Sequence, residues 1–278
     1  MSGDGFPAVL ACRGLAAGVP GGEGLHDVGF GLAHGEVLGV IGPTGAGVPL
    51  LLDVLSGLHR PSAGAAWVLG RQMRLGRAGR FAGAGLARTF AEPRLLDGLT
   101  PTDLAVLAFR LGQAPRHWGR LLLPLGWTGG EERRNALAVL AFVGLGGAAD
   151  RPLAALSPGE RRLADLARAL VRRPAVLLLD HPFAGLAVAG RTHAATLIRM
   201  LAAEGMAVLL ADDDVSSLAG LAARILVLDG GRLIADGPPE EVGGNPAVLR
   251  AFTGEAGTGE AGTGEAGTGE AGTGGAGG

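Results

Sequence analysis

The chain has 278 residues and contains no lysine, no tyrosine and a single cysteine, Cys12. One cysteine excludes an internal disulfide, and a lone thiol in a chain of this size fits a reducing compartment. All 24 basic residues are arginine, set among abundant alanine and glycine, as a GC-rich coding sequence would give. Under such drift a lysine can become arginine and keep its charge, so a lysine position that holds neither is informative. No apolar run approaches the ~20 residues of a membrane span. No basic start followed by an apolar block suggests a secretion signal. The formal charge is only −2, which offers a nucleic acid no attractive field. Apolar residues make up 47% of the chain, enough for a sizeable core.

From Thr253 the chain reads TGEAGTGEAGTGEAGTGEAGTGGAGG, a repeat that carries Glu255, Glu260, Glu265 and Glu270 and no base. These four carboxylates turn a body of net +2 into a chain of −2. The repeat has no bulky apolar group to offset the entropy of ordering, so 253–278 is expected to be a disordered tail.

The body alternates strand and helix patterns. AVLACRGLAAGV and LHDVGFGLAHGEVLGVIG show short alternating and apolar runs separated by glycines, which predict strands. EVLGVIG leads straight into GPTGAGVPLLLDVLSG at 42–57. Gly42, Pro43, Thr44, Gly45, Ala46, Gly47, Val48 and Pro49 have the glycine frame of a phosphate loop. A working loop ends in lysine and a hydroxyl residue, which hold phosphate and magnesium. Val48 and Pro49 stand there instead. Apolar residues at 50, 51, 54, 55 and 58 predict a helix after the loop, and Pro49 suits a first helical turn. The middle, 92–165, is mostly helical in pattern, as in GEERRNALAVLAFVGL. PAVLLLDHPFAGL, MAVLLADDD and RILVLDGGRLIADG add strands, the first ending at Asp180. This alternation predicts a mostly parallel sheet covered on both faces.

Asp212, Asp213 and Asp214 occupy a strand-to-helix turn and read as a helix cap and dipole partner. His117, Trp118 and Trp127 lie in an insertion-like segment and read as packing. The six histidines show no ligand spacing, and one cysteine supports no zinc site.

Five stretches in order carry a resemblance: the loop at 42–49, LARTFAEPRLLDGLT at 86–100, LSPGERRLADLARAL at 156–170, VLLLDHPFAGL at 176–186 and LLADDD at 209–214. GRLIADGPPEEV and NPAVLRAF follow. From about Val9 to Phe252 the chain resembles the ATP-binding subunits of ABC transporters, most closely those of branched-chain amino acid uptake. The resemblance implies an α/β P-loop NTPase core of ABC type, with a mostly parallel sheet, an antiparallel β-subdomain and a helical subdomain at about 91–165. All of these lie in one nucleotide-binding domain, 1–252.

Position by position, the resemblance implies ATP and magnesium chemistry that is largely missing here. The adenine-stacking aromatic is Val19, the loop lysine is Val48 and the magnesium hydroxyl is Pro49. The Q-loop glutamine is Ala91 and the D-loop aspartate is Ala187. Asp180 keeps the metal-binding aspartate. The catalytic glutamate is His181, which could act as a base near neutral pH, and the switch histidine is Asp213, whose charge would oppose a phosphate. The signature loop fares better: Ser157 and Gly159 are kept, with Pro158 and Glu160 beside them. A hydrogen bond to a charged group is worth about 1.5–3 kcal/mol, so Val48 and Pro49 together could remove ~3–6 kcal/mol of nucleotide binding. Phosphoryl transfer is nearly all positioning and charge stabilisation, so intrinsic hydrolysis is not expected, and ATP and magnesium binding at this site should be weak or absent.

Two functions stay open, beside decay without function. In one, the chain pairs with an intact second ATP-binding subunit and completes the partner's site through its signature loop. In the other it is a non-enzymatic scaffold or regulatory pseudo-ATPase that docks on a membrane subunit without nucleotide. Either implies a peripheral place at the cytoplasmic face of the cell membrane, held by membrane-spanning partners.

Overall fold

Three short runs, Val37–Ile41, Val176–Asp180 and Ala207–Ala211, are buried at every position, as expected of parallel strands covered on both faces. They lie side by side in the structure, a computed structural model that describes residues 8–18, 22, 24–93, 95–113, 130–213, 217, 218 and 220–253. In chain order the strands are β1 (Leu10–Gly18), β2 (Gly24–Leu32), β3 (Val37–Ile41), β4 (Ala63–Val68), β5 (Arg71–Gln72), β6 (Leu86–Arg88), β7 (Val176–Asp180), β8 (Ala207–Ala211), β9 (Arg224–Asp229) and β10 (Arg232–Gly237). The helices are α1 (Val48–Leu55), α2 (Ala78–Gly83), α3 (Pro101–Gln113), α4 (Gly130–Phe142), α5 (Pro158–Leu170), α6 (Val188–Ala203), α7 (Pro239–Gly243) and α8 (Pro246–Thr253).

The larger sheet has the order β10-β9-β3-β8-β7-β6 and is parallel except for the edge strand β10. Side chains alternate across a strand, and the core divides accordingly. Ile41, Leu177, Leu179, Val208 and Leu210 face one apolar layer with Leu170 of α5 and Leu197 of α6. Leu38, Val40, Leu178 and Leu209 face a second layer with Leu51 and Leu52 of α1. That layer also takes in Leu10, Leu15 and Val68 from the second sheet, an antiparallel one of order β2-β1-β4-β5. The expected mostly parallel sheet and antiparallel subdomain are both present.

The helices α3 and α4 enclose a small cluster of Ala105, Val106, Ala136 and Val171. Beside it Arg110 Nε donates to Glu132 Oε2 at 3.0 Å, with both side chains buried. The carboxyl ends of β3, β8 and β7 share one edge of the sheet. The glycine loop, Asp212–Asp213 and His181 follow those three strands. Side chains far apart in sequence meet at this edge, where open α/β sheets bind ligands.

Candidate functional site

The glycine loop is built from its own backbone. Ala46 N–H donates to the Pro43 carbonyl at 2.9 Å, Gly231 N–H donates to the Ala46 carbonyl at 3.0 Å, and Leu51 N–H to the Gly47 carbonyl at 2.9 Å. Gly47 caps α1 in the left-handed region at φ 93°, and a Cβ there would lie 2.9 Å from the Gly24 carbonyl oxygen. A Cβ at Gly42 would come within 2.6 Å of both Ala46 Cβ and the Leu228 carbonyl oxygen. The glycines are required by packing, with or without a ligand. Val48 opens α1 and leans on the β1–β4 side of the core, and Pro49 follows, exposed, in the first turn. The frame of a phosphate loop survives, but neither side chain can hold a phosphate or a metal ion.

Next to the loop runs a chain of charges that the sequence did not reveal. Arg88, at the end of β6, is buried. Its Nη1 pairs with Asp53 Oδ1 of α1 and donates to Ser56 Oγ at 3.1 Å, and its Nη2 donates to Asp180 Oδ2 at 3.1 Å. The other oxygen of Asp180, Oδ1, is 3.0 Å from His181 Nδ1, and His181 Nε2 is 3.1 Å from Asp213 Oδ2. Charges along Asp53–Arg88–Asp180–His181–Asp213 alternate in sign and leave no surplus positive charge for a polyphosphate.

The two aspartates act on His181 directly. The hydrogen bond to Asp180 pushes its pKa up most; burial opposes this, and Asp213 adds to the rise, for a net value of about 9. The shift favours the imidazolium near neutral pH, the form that cannot accept a proton, so the geometry does not support even the base role open to this position in principle. Asp213, whose charge was expected to oppose a phosphate, pairs with His181. Burial works to raise the pKa of Asp180, but the bonds from His181 and Arg88 outweigh it, and the carboxyl is held below its ordinary value of 3.8. With one oxygen on each cation, Asp180 is engaged by two positive groups of its own chain. Val48 and Pro49 offer a magnesium ion no side-chain oxygen, and the retained Asp180 already faces two cations.

His181 sits at φ 47°, a left-handed conformation that histidine adopts more readily than most residues. Its carbonyl accepts from Arg162 Nη1 at 2.6 Å, and Arg162 Nη2 donates to the carbonyl of Ala91 at 2.8 Å. One arginine of α5 thus ties the end of β7 to the segment after β6.

The retained SPG segment begins α5. Ser157 is its N-cap: Glu160 N–H donates to Ser157 Oγ at 3.2 Å, and Ser157 N–H donates to Glu160 Oε2 at 2.8 Å, a reciprocal capping box. Pro158 fills the first helical position, where a missing N–H is no loss. Glu160 also pairs with Arg151 at 3.0 Å. Ser157 and Pro158 are exposed. Pro158 and Glu160 both suit the helix start. Ala187 caps α6 without a side-chain bond.

Val19, His117, Trp118, Trp127, Asp214 and residues 254–278 lie outside the described residues. Among the site residues, Asp53, Ser56, Arg88 and Arg162 were missed. The one signal for Arg88 is an arginine ending an apolar strand, because a buried guanidinium requires a carboxylate. Beside Arg88, a cavity of about 320 Å3 opens between α2, α3 and α5, lined by Leu58, Leu86, Phe90, Leu107, Leu111 and Arg172 among others.

A family model described as ABC transporter matches residues 25–184, more than half of the chain. A second, described as branched-chain amino acid ATP-binding cassette transporter, matches residues 232–258. The high-affinity branched-chain amino acid transport ATP-binding protein LivG of Salmonella typhimurium is 31% identical over 251 residues, which cover 89% of this chain and 98% of that protein. The lipopolysaccharide export system ATP-binding protein LptB of Acidithiobacillus ferridurans is 32% identical over 233 residues, 83% of this chain and 90% of that one. Among solved structures, the ADP conformation of an ATP-binding cassette of an ABC transporter superposes with a TM-score of 0.79 at 23% identity, covering 90% of this chain and all of that one. A nucleotide-free cassette superposes with the same score at 22% identity, covering 88% and 99%.

Proposed function

The chain belongs to the ABC transporter family, and from that premise we propose that this transporter ATP-binding subunit does not hydrolyse ATP at its own site. It instead completes the site of a second ATP-binding subunit through Ser157 and Gly159. The observation that carries this reading is the occupation of Asp180: Arg88 takes one oxygen and His181 the other. The signature segment, by contrast, is capped, ordered and open to solvent. A silent loop beside a better-kept signature is what an asymmetric pair would contain. The matches to LivG and to the branched-chain amino acid model support a transporter of that type. Among the described residues no helix is long and apolar enough to cross a membrane, so attachment to the cytoplasmic face would run through membrane-spanning partners. In this reading residues 1–252 form the nucleotide-binding domain, its helical part at about 91–165, and 253–278 form a separate tail.

The test is a reconstituted pair with a subunit that keeps its loop lysine and catalytic glutamate. Ser157→Asp preserves the helix cap but sets a carboxylate toward the partner's nucleotide, so ATPase activity of the pair should collapse. An unchanged rate would reject the partnered site.

The scaffold reading has one observation in its favour. Leu58 and Leu111, both about half exposed, line the cavity beside Arg88, and a membrane subunit could dock there without nucleotide. Under that reading Leu111→Asp should release the chain from its membrane partner, whereas Ser157→Asp should do nothing.

A further inference from the structure

Away from the nucleotide loop, two turns meet across a cavity of about 470 Å3 lined by Arg60, Arg74, Leu75, Gly76 and Arg77. One turn follows α1 and the other joins β5 to α2. The second is pinned on its inner side: Met73 is buried and its N–H donates to the Ala66 carbonyl at 2.8 Å, and Leu75 packs on the core. Alternation then leaves Arg74 on the exposed side. Gly76 lies at φ 71°, and a Cβ there would come 2.7 Å from Arg60 Cβ. Only glycine lets the turn close over the Arg60 stem, so the wall of the cavity is a built contact between the two turns.

Charge gives the cavity a direction. Residues 54–91 contain six arginines and no aspartate or glutamate. One of the six, Arg88, is buried in the ion chain described above. Elsewhere on the surface some arginines have acidic partners, as in Arg133–Asp150, Arg151–Glu160, Arg161–Asp97 and Arg224–Asp236. Among the described residues, no carboxylate lies within ion-pair distance of Arg60, Arg74 or Arg77. Three arginines line one concavity with no carboxylate beside them, which favours an anion there. Their planar forks match phosphate oxygens in pairs.

The geometry points to a binding site for a phosphate-bearing anion, either a free phosphate compound or the headgroup of an anionic lipid. The site shares no residue with the glycine loop or the signature segment, so it is independent of the nucleotide reading.

The full chain should be titrated calorimetrically with pyrophosphate. In parallel it should be sedimented with vesicles of phosphatidylcholine alone and of phosphatidylcholine mixed with phosphatidylglycerol. One variant carries Arg60→Gln, Arg74→Gln and Arg77→Gln. A control carries Arg134→Gln, Arg232→Gln and Arg250→Gln, which remove equal charge elsewhere. Binding of at least one probe is expected, roughly tenfold or more weaker in the first variant and unchanged in the control. Binding of pyrophosphate alone identifies a free ligand, and binding of phosphatidylglycerol vesicles alone identifies a lipid. Binding of neither probe, or equal loss in both variants, overturns the site. The exchanged side chains are exposed, and matching thermal melts verify that the variants fold.

Discussion

Arg88 Nη2 donates to Asp180 Oδ2 at 3.1 Å with both side chains more than 90% buried. The two residues stand on neighbouring strands, β6 and β7, but 92 positions apart in the chain. Removing one partner of a buried pair leaves an uncompensated charge, which costs about 3–5 kcal/mol. Arg88→Met leaves Asp180 with His181 as its remaining cation, so the loss should reach at most that amount and exceed about 1 kcal/mol, read from urea denaturation midpoints. Asp53, whose side chain is 43% exposed, contributes little to this loss. A shift below ~1 kcal/mol would mean that water already reaches Asp180.

His181 gives the stability a pH dependence of known sign. Its folded pKa, about 9, lies above the ordinary 6.5. The stabilisation is therefore complete below about pH 6.5 and disappears as the pH rises through 9. Asp180 is shifted the other way, so its contribution is present above 3.8 and is lost as the pH falls below that value. Thermal melts across the range should show a plateau between these limits and an alkaline decline. His181→Asn, which tolerates the left-handed backbone, should remove the alkaline decline and weaken the acid one, because the bond to His181 is the largest of the contacts that hold the Asp180 carboxyl below its ordinary value. An NMR titration placing the His181 ring near 6.5 would contradict the charge chain.

The loop glycines separate backbone demand from ligand demand. Gly47→Ala meets both a positive φ and the Gly24 carbonyl at 2.9 Å, whereas Gly45→Ala meets a φ of 85° with nothing within 4 Å. Gly45→Ala should cost about 1–2 kcal/mol and Gly47→Ala clearly more, each measured by chemical denaturation without nucleotide. Equal costs would mean that the loop relaxes around the new methyl group.

Much of this arrangement was legible because it is local. The glycine frame, the helix after Val48 and the strand ending at Asp180 each follow from spacing within about a dozen residues, and the structure reproduces them. The charge chain was not legible, because its links join residues 35 and 92 positions apart. Sequence alone gave His181 the ordinary imidazole pKa and gave Asp213 no partner, and only the meeting of β7 and β8 shows that each answers the other. The buried pair of Arg110 and Glu132 was hidden for the same reason: GEERRNALAVLAFVGL reads as a helix, and nothing within it marks Glu132 as buried until α3 packs against it.

Ser157 tests the signature loop as a structural element apart from any partner. Ser157→Ala removes the cap of α5 and should cost about 1 kcal/mol in the isolated chain, whereas Ser157→Asp should cost almost nothing. The reverse order in denaturation would mean that the capping box does not form.

The central claim, a nucleotide site closed by its own side chains and lacking its loop lysine and hydroxyl, is tested most directly by titrating the purified chain with MgATP. A Val48→Lys, Pro49→Thr version serves as the comparison. The account predicts no binding by the natural chain in the micromolar range and recovery by the double variant, a difference of roughly a hundredfold or more. Micromolar binding by the natural chain would contradict it, and would mean that the loop backbone holds nucleotide without the missing charge.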